Sequence, residues 1–219
     1  MNKVLVTGAN RGIGLELCRQ LTLRGDEVVA VCRKASDPLR SLSLRIIDGV
    51  DVNDSDSVNT LSATLAGMKL DWLINNAGIL SVESLDSLDF DAMERQFKVN
   101  SLGPLRVTAA LLPNLGTGSK VGIITSRMGS VEDNTSGGYY GYRMSKAAVN
   151  MAGMSLARDL KEQNIAVALL HPGMVATDMT GGRGVTPEHS ASGLIQRMDT
   201  LDLERSGVFW HAEGEQLPW

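Results

Sequence analysis

The chain has 219 residues, of which 43% are hydrophobic, and its 21 basic and 25 acidic side chains give a net charge of −4. This composition is typical of a globular protein with a sizeable core, and we treat residues 1–219 as one domain. The mild acidity and the short apolar runs, of which residues 165–170 are the longest, predict a cytoplasmic protein that binds a small molecule and neither nucleic acid nor a membrane.

Short runs rich in β-branched residues alternate with segments of helical periodicity along the whole chain. The spacing of Ile13, Leu17 and Leu21 predicts a helix after the first run, and residues 186–188 (Thr-Pro-Glu) are typical of the start of the last helix. This alternation predicts an α/β fold, a Rossmann-like, doubly wound, mostly parallel seven-stranded sheet with helices on both faces. The predicted strands are residues 3–7, 27–32, 44–49, 70–75, 120–125, 166–171 and 207–211.

The first predicted strand ends in a glycine-rich turn that runs directly into a predicted helix. Glycines let the backbone approach phosphates closely, and the free N–H groups at the start of a helix can bind a pyrophosphate. The spacing of Gly8, Gly12 and Gly14 differs from the common G-x-G-x-x-G pattern, so a turn without a ligand stays open as an alternative on this motif alone.

Two arginines lie where a dinucleotide fold contacts the adenosine ribose. An Asp or Glu after the second strand would accept a hydrogen bond from the ribose 2′-hydroxyl and repel a 2′-phosphate. This chain instead has Cys32 followed by Arg33, and Arg11 lies within the glycine turn. Because each charge-assisted hydrogen bond to a phosphate contributes about 1.5 to 3 kcal/mol, the pair predicts NADPH/NADP+ as the cofactor. Either arginine alone could be a solvated surface charge.

Tyr142 and Lys146 are four residues apart in a helix-compatible segment, which places them on one helix face. A nearby ammonium group is expected to lower the pKa of the tyrosine from its usual value of about 10. Neither Tyr139 nor Tyr140 has a lysine at the same spacing. Ser126 ends the fifth predicted strand, at the edge where α/β sheets bind ligands, although a capping role is the plainer alternative for a lone serine.

Together these motifs resemble those of the short-chain dehydrogenase/reductase superfamily, and the resemblance covers the whole chain. Residues 133–140 and 217–219 are most similar to the C-factor and sniffer-type carbonyl reductases. The matching motifs are residues 7–14 (T-G-x-x-x-G-x-G), 51–52, 75–78 (N-N-A-G), Asn100, Ser126, Tyr142 with Lys146 (Y-x-x-x-K) and residues 172–177 (P-G-x-x-x-T).

The resemblance implies two sets of functional residues. The catalytic set is Asn100, Ser126, Tyr142 and Lys146. The cofactor-binding set is Gly8, Asn10, Arg11, Gly12, Ile13, Gly14, Arg33, Asp51, Val52, Asn76, Ala77, Gly78, Tyr142, Lys146, Pro172, Gly173, Val175 and Thr177.

The resemblance also implies a reaction, in which NADPH passes a hydride to a carbonyl carbon while Tyr142 protonates the oxygen and Ser126 hydrogen-bonds it. Lys146 would hold the nicotinamide ribose and lower the tyrosine pKa, and Asn100 would hold a water that connects Lys146 to solvent. Alcohol oxidation with NADP+ would use the same residues, and a homodimer or homotetramer is expected. A redox sensor or signalling protein that binds NADP(H) with little turnover is the alternative, although the four intact catalytic residues favour an enzyme.

Two segments near the expected substrate site depart from the superfamily pattern. The interval from Ser126 to Tyr142 is longer than usual, which predicts a bulging loop over residues 127–141. Residues 177–186 are short and glycine-rich, which predicts an open site with a flexible flap.

No metal site is expected from the sequence. His171, His189 and His211 share no ligand spacing, and two cysteines are too few for a metal cluster. We expect Cys18 and Cys32 to act as small buried hydrophobic residues.

Overall fold

The structure is a computed structural model that describes residues 1–219. It confirms the predicted α/β fold, with one seven-stranded sheet in the order β3-β2-β1-β4-β5-β6-β7. Every neighbouring pair of strands is parallel. The strands are β1 (Lys3–Thr7), β2 (Glu27–Val31), β3 (Arg45–Ile47), β4 (Trp72–Asn75), β5 (Lys120–Ile124), β6 (Ala166–His171) and β7 (Phe209–His211).

Helices cover both faces of the sheet. The α-helices are α1 (Gly12–Leu23), α2 (Asp37–Arg40), α3 (Ser55–Thr64), α4 (Phe90–Phe97), α5 (Gly103–Ala110), α6 (Tyr140–Asp159) and α7 (Pro187–Thr200). A π-helix over Lys98–Leu102 joins α4 to α5. The last helix begins as predicted, because Thr186 is its N-cap and accepts a hydrogen bond from the His189 N–H. No helix has both the length and the apolar composition needed to cross a membrane.

The core has two layers because side chains alternate across the strands. Val4 and Val6 of β1 pack on the same side as α1 and α7, whereas Leu5 points to the side of α3, α5 and α6. Cys18 and Cys32 are buried and unpaired, as expected. The strand order reverses between β1 and β4, and such a switch point opens a crevice at the carboxyl ends of the strands. The predicted functional residues lie along this edge.

Candidate active site

The glycine turn leaves no room for a side chain at Gly8 or Gly14. Gly8 and Gly12 have φ angles of +65° and +54°, which other residues rarely adopt. A Cβ atom on Gly8 would lie 2.7 Å from the Ala77 Cα, and one on Gly14 would lie 2.3 Å from the Gly8 carbonyl oxygen. The first turn of α1 has neither a side-chain cap nor an acidic residue, so its N–H groups can donate hydrogen bonds to an anion. The turn over residues 7–14, which we call the glycine cradle, therefore fits a pyrophosphate.

The segment after β4 is hydrogen-bonded to the end of β1 and to this turn. The Thr7 hydroxyl oxygen accepts hydrogen bonds from the N–H groups of Asn76, at 3.0 Å, and Ala77, at 3.1 Å. The Asn76 amide donates to the carbonyls of Thr7, at 3.1 Å, and Gly8, at 3.2 Å. Asn76 and Ala77 therefore lie at the predicted cofactor site. The Asn76 side chain stabilises the backbone conformation of the glycine turn.

The two arginines lie on the surface beside this cradle. Arg11 forms an ion pair of 2.8 Å with Asp178, and 66% of its side chain is exposed. Arg33 is exposed and its side chain forms no ion pair with the protein. A phosphate could reach both guanidinium groups without first breaking a buried contact.

The remaining residues of the predicted cofactor set lie at the carboxyl edge, on loops except for Ile13, which is in the first turn of α1. The Asp51 carboxylate accepts from the Asn53 N–H at 2.9 Å, and Val52 is buried against the start of α5. The Asn10 carbonyl accepts from the Ser36 hydroxyl at 2.6 Å. The set also contains Ile13 and Gly78, and the loop after β6 adds Pro172, Gly173, Val175 and Thr177.

Three side chains of the predicted catalytic set, Ser126, Tyr142 and Lys146, meet where β5 ends and α6 begins. Tyr142 and Lys146 share one face of α6 and are both buried, with the Lys146 Nζ atom 5.6 Å from the centre of the tyrosine ring. Ser126 follows β5 and lies beside the Tyr142 phenol. A Cβ atom on Gly129 would lie 2.6 Å from the Lys146 backbone carbonyl carbon, so this glycine lets the serine segment pack against α6.

Burial sets the acidity of this pair. It raises the pKa of Tyr142 to about 12, and the Ser126 hydroxyl partly offsets that effect. It lowers the pKa of Lys146 to about 8. The predicted lowering of the tyrosine pKa is therefore wrong for this structure, because desolvation dominates and the Lys146 ammonium donates instead to the Ile124 carbonyl at 2.9 Å. Tyr142 keeps its proton at neutral pH, as a proton donor requires.

Asn100 lies in the π-helix and is buried. Its amide nitrogen donates to the Ile79 carbonyl, at 2.8 Å, and to the Ser145 hydroxyl, at 3.0 Å, while its oxygen accepts from the Ile79 N–H at 2.8 Å. The side chain thus ties the π-helix to α6 and to the segment after β4. This is consistent with the use of π-helical turns at functional sites.

Two segments border the site on the substrate side. In the 127–141 loop, Arg127 pairs with Asp133 at 3.0 Å and with Glu215 at 3.1 Å. The base of the 177–186 flap is closed by backbone hydrogen bonds of 2.8 Å between the Val185 N–H and the Met174 carbonyl and between the Ala176 N–H and the Val185 carbonyl. The flexibility of the flap stays a prediction.

A cleft elsewhere on the molecule does not contain the predicted catalytic side chains. It has a volume of about 640 Å³ and lies behind Gly173, between the base of the flap, α7 and the end of β7. None of the four predicted catalytic residues lines it.

Sequence reasoning missed Glu83, a buried carboxylate that contacts the start of α6. No local pattern indicates it, because it lies in an irregular segment far from α6 in sequence. The only available signal was the absence of a capping residue before the tyrosine helix.

The comparisons with known proteins agree with this geometry. The family described as short chain dehydrogenase matches residues 2–187. The chain is 46% identical to 1-hydroxy-2-glutathionyl-2-methyl-3-butene dehydrogenase of Rhodococcus sp. strain AD45, over 100% of both chains. It is 47% identical to C-signal of Myxococcus xanthus, over 68% of this chain and 93% of that protein.

Solved structures show the same fold. The NADPH-bound carbonyl reductase from chicken fatty liver has a TM-score of 0.92 and 31% identity, with 100% of this chain and 99% of the other covered. Carbonyl reductase Sniffer of D. melanogaster has a TM-score of 0.91 and 29% identity, with both chains covered fully. These similarities confirm the predicted relationship and the predicted enzyme class. The chain belongs to the short-chain dehydrogenase family and is an oxidoreductase that acts on CH–OH or C=O groups.

Proposed function

We propose that the protein is an NADPH-dependent carbonyl reductase that converts an aldehyde or ketone to an alcohol. One observation carries the proposal: a buried Tyr142 phenol lies beside the Ser126 hydroxyl and the Lys146 amino group at the carboxyl edge of the sheet. A carbonyl placed there would meet two hydroxyl donors, both on buried residues.

The side chains divide the work of proton transfer. Ser126 and Tyr142 donate hydrogen bonds to the carbonyl oxygen, and Tyr142 gives up its proton as negative charge develops there. Lys146 places positive charge near the phenolate that remains. Asn100 holds the π-helix against α6, which keeps the lysine and tyrosine in register. NADPH, when bound, supplies the hydride.

The choice of NADPH rests on the phosphate end of the crevice. The glycine cradle fits a pyrophosphate. The exposed side chains of Arg33 and Arg11 could bind a 2′-phosphate, for which Arg11 would exchange its ion pair with Asp178. No carboxylate follows β2 at the position where one would accept from a ribose hydroxyl. The chicken carbonyl reductase contains NADPH.

A second candidate is oxidation of an alcohol with NADP+, which the same residues support in reverse. The Rhodococcus relative favours it, because that protein is named as the dehydrogenase of an alcohol carrying a glutathionyl group and matches this chain along its full length. The high pKa of Tyr142 favours reduction near neutral pH, since the phenol must lose its proton to act as a base.

We also propose self-association into a homodimer or homotetramer. Apolar side chains are exposed on α4, on α5 and on the outer face of α6, which are the helices that border the site. They are Phe90, Phe97, Leu105, Met144 and Met151. Sedimentation velocity at micromolar concentration tests this, and a monomer at all concentrations would contradict it.

The function is tested by following the nicotinamide absorbance with purified protein and a panel of aldehydes, ketones, quinones and 3-oxoacyl thioesters. NADPH and NADH are run in parallel, and glutathionyl alcohols with NADP+ test the second candidate. We expect carbonyl-dependent oxidation that is faster with NADPH. Cofactor binding without turnover on any substrate would instead support the NADP(H)-binding sensor.

A further inference from the structure

The tyrosine helix has no N-terminal cap of its own. Its N-cap residue, Tyr139, has a left-handed backbone with φ of 52° and makes no side-chain cap. The first turn of α6 also lacks an acidic residue. The N–H groups at this end therefore need acceptors from elsewhere in the fold.

Glu83, in the segment between β4 and α4, supplies those acceptors. Its side chain is buried, with the residue 2% exposed, and one carboxylate oxygen accepts a hydrogen bond from the Gly141 N–H at 3.1 Å. Its backbone carbonyl accepts from the Tyr139 N–H at 2.9 Å. Glu83 thus accepts hydrogen bonds from the residues on either side of Tyr140. The second of these, Gly141, immediately precedes Tyr142.

The other carboxylate oxygen of Glu83 contacts α4 and the neighbouring Ser81. It accepts hydrogen bonds from the Gln96 amide, at 2.9 Å, and from the Ser81 hydroxyl. Gln96 is fully buried and closes the network by donating to the Ser81 hydroxyl at 2.7 Å. A Cβ atom on Gly141 would lie 2.4 Å from the Gln96 amide nitrogen, so a glycine is needed for α6 to start against this network.

Every hydrogen bond to the Glu83 side chain comes from a donor, so both carboxyl oxygens have partners. The carboxyl group lies at the N-terminus of α6, where the helix dipole favours an acidic side chain. We infer that Glu83 is a positioning residue for catalysis: it fixes the start of α6 and thereby the place of the Tyr142 phenol. The inference rests on the proposed function of Tyr142.

The test compares Glu83→Ala and Glu83→Gln with a matched control, Asn114→Ala. Asn114 is also buried, and its amide donates to the carbonyls of Leu65, at 2.7 Å, and Met68, at 2.8 Å, near the opposite edge of the sheet. We expect Glu83→Ala to lower kcat by about 10²-fold at saturating cofactor and substrate, because small displacements of a catalytic group cost that much. Cofactor affinity stays near the wild-type value.

Glu83→Gln keeps the size of the side chain and one acceptor oxygen. We therefore expect its kcat to be about tenfold higher than that of Glu83→Ala. If Glu83→Ala does not fold, the kcat of Glu83→Gln is compared with that of the wild-type protein instead. Asn114→Ala keeps its kcat despite a lower melting temperature. A wild-type kcat in both Glu83 variants, or an equal loss in Asn114→Ala, would overturn the inference.

Hydrogen exchange of residues 140–146 gives a readout that does not depend on turnover. We expect faster exchange in this segment in both Glu83 variants and unchanged exchange there in Asn114→Ala. Unchanged exchange in the Glu83 variants would overturn the inference. Tyr142→Phe is assayed alongside: full activity in that variant refutes the proposed function, and the exchange result still decides whether Glu83 positions the helix.

Discussion

The two ends of the crevice are built differently. At the catalytic end, Asn100, Ser126, Tyr142 and Lys146 are all buried, and burial itself sets the pKa values of the tyrosine and lysine. At the phosphate end, the charged groups Arg11 and Arg33 are exposed. If the proposed function is correct, turnover depends on the packing of the fold around buried side chains, whereas the choice of cofactor depends on exposed charges that contribute little to stability. Changes at the first end should alter turnover, and changes at the second should alter cofactor selection.

The largest effect is expected from Tyr142→Phe. Removal of the phenol oxygen eliminates the proton donor, and positioned proton transfer contributes about 10² to 10⁴ in rate. We expect kcat to fall by that factor while NADPH affinity, measured by fluorescence titration, is retained. Tyr140→Phe, two residues away on α6, is the matched control and should keep its activity. Undiminished turnover in Tyr142→Phe would contradict the account.

Gly14→Ala tests the glycine cradle. The added methyl group would lie 2.3 Å from the Gly8 carbonyl oxygen and 2.5 Å from the Asn76 amide, so the turn must move. Such overpacking costs about 1 to 3 kcal/mol, and we expect NADPH affinity to fall by about tenfold or more. Gly116→Ala is the control, because a Cβ atom there meets nothing within 4 Å. Equal NADPH affinity in the two variants would show that the turn does not hold the cofactor.

The double variant Arg11→Ala with Arg33→Ala tests cofactor selection. Loss of two charge-assisted contacts of about 1.5 to 3 kcal/mol each should reduce the preference for NADPH over NADH by about 10²-fold or more. The measurement is kcat/KM for both cofactors, with kcat at saturation unchanged. Arg205→Ala, which removes an exposed arginine paired with Asp202, serves as the control. An unaltered preference in the double variant would refute the role of the two arginines.

The smallest effect concerns pH and stability. Burial, with smaller contributions from His211 and Arg127, lowers the pKa of His171 from 6.5 to about 3. The unfolded chain binds the proton first, so stability is lost as the pH falls below 6.5. The loss is roughly 2 kcal/mol between pH 6.5 and pH 5. Urea unfolding should show this slope reduced in His171→Gln and preserved in His189→Gln, whose side chain is 62% exposed. Identical slopes in wild type and His171→Gln would exclude this effect.

Much of the fold was predictable because its signals are local. Apolar runs marked all seven strands, although β3 is shorter than predicted and ends at Ile47, at the edge of the sheet. The motif residues Ser126, Tyr142 and Lys146 converge as the resemblance implied. The direction of the tyrosine pKa was not predictable, since it depends on burial and on a lysine that donates to a backbone carbonyl. The contact of Glu83 with α6 joins segments distant in sequence and needed the structure.

The most direct test of the central claim is the transfer of deuterium from NADPH that carries it on both faces of the nicotinamide C4. The wild-type protein is incubated with this cofactor and a carbonyl substrate identified in the panel, and the alcohol is analysed by mass spectrometry and NMR. We predict one deuterium on the carbinol carbon for each NADPH oxidised. We also predict that Tyr142→Phe forms this deuterated alcohol far more slowly than the wild-type protein. NADPH oxidation that leaves the carbinol carbon without deuterium would contradict it.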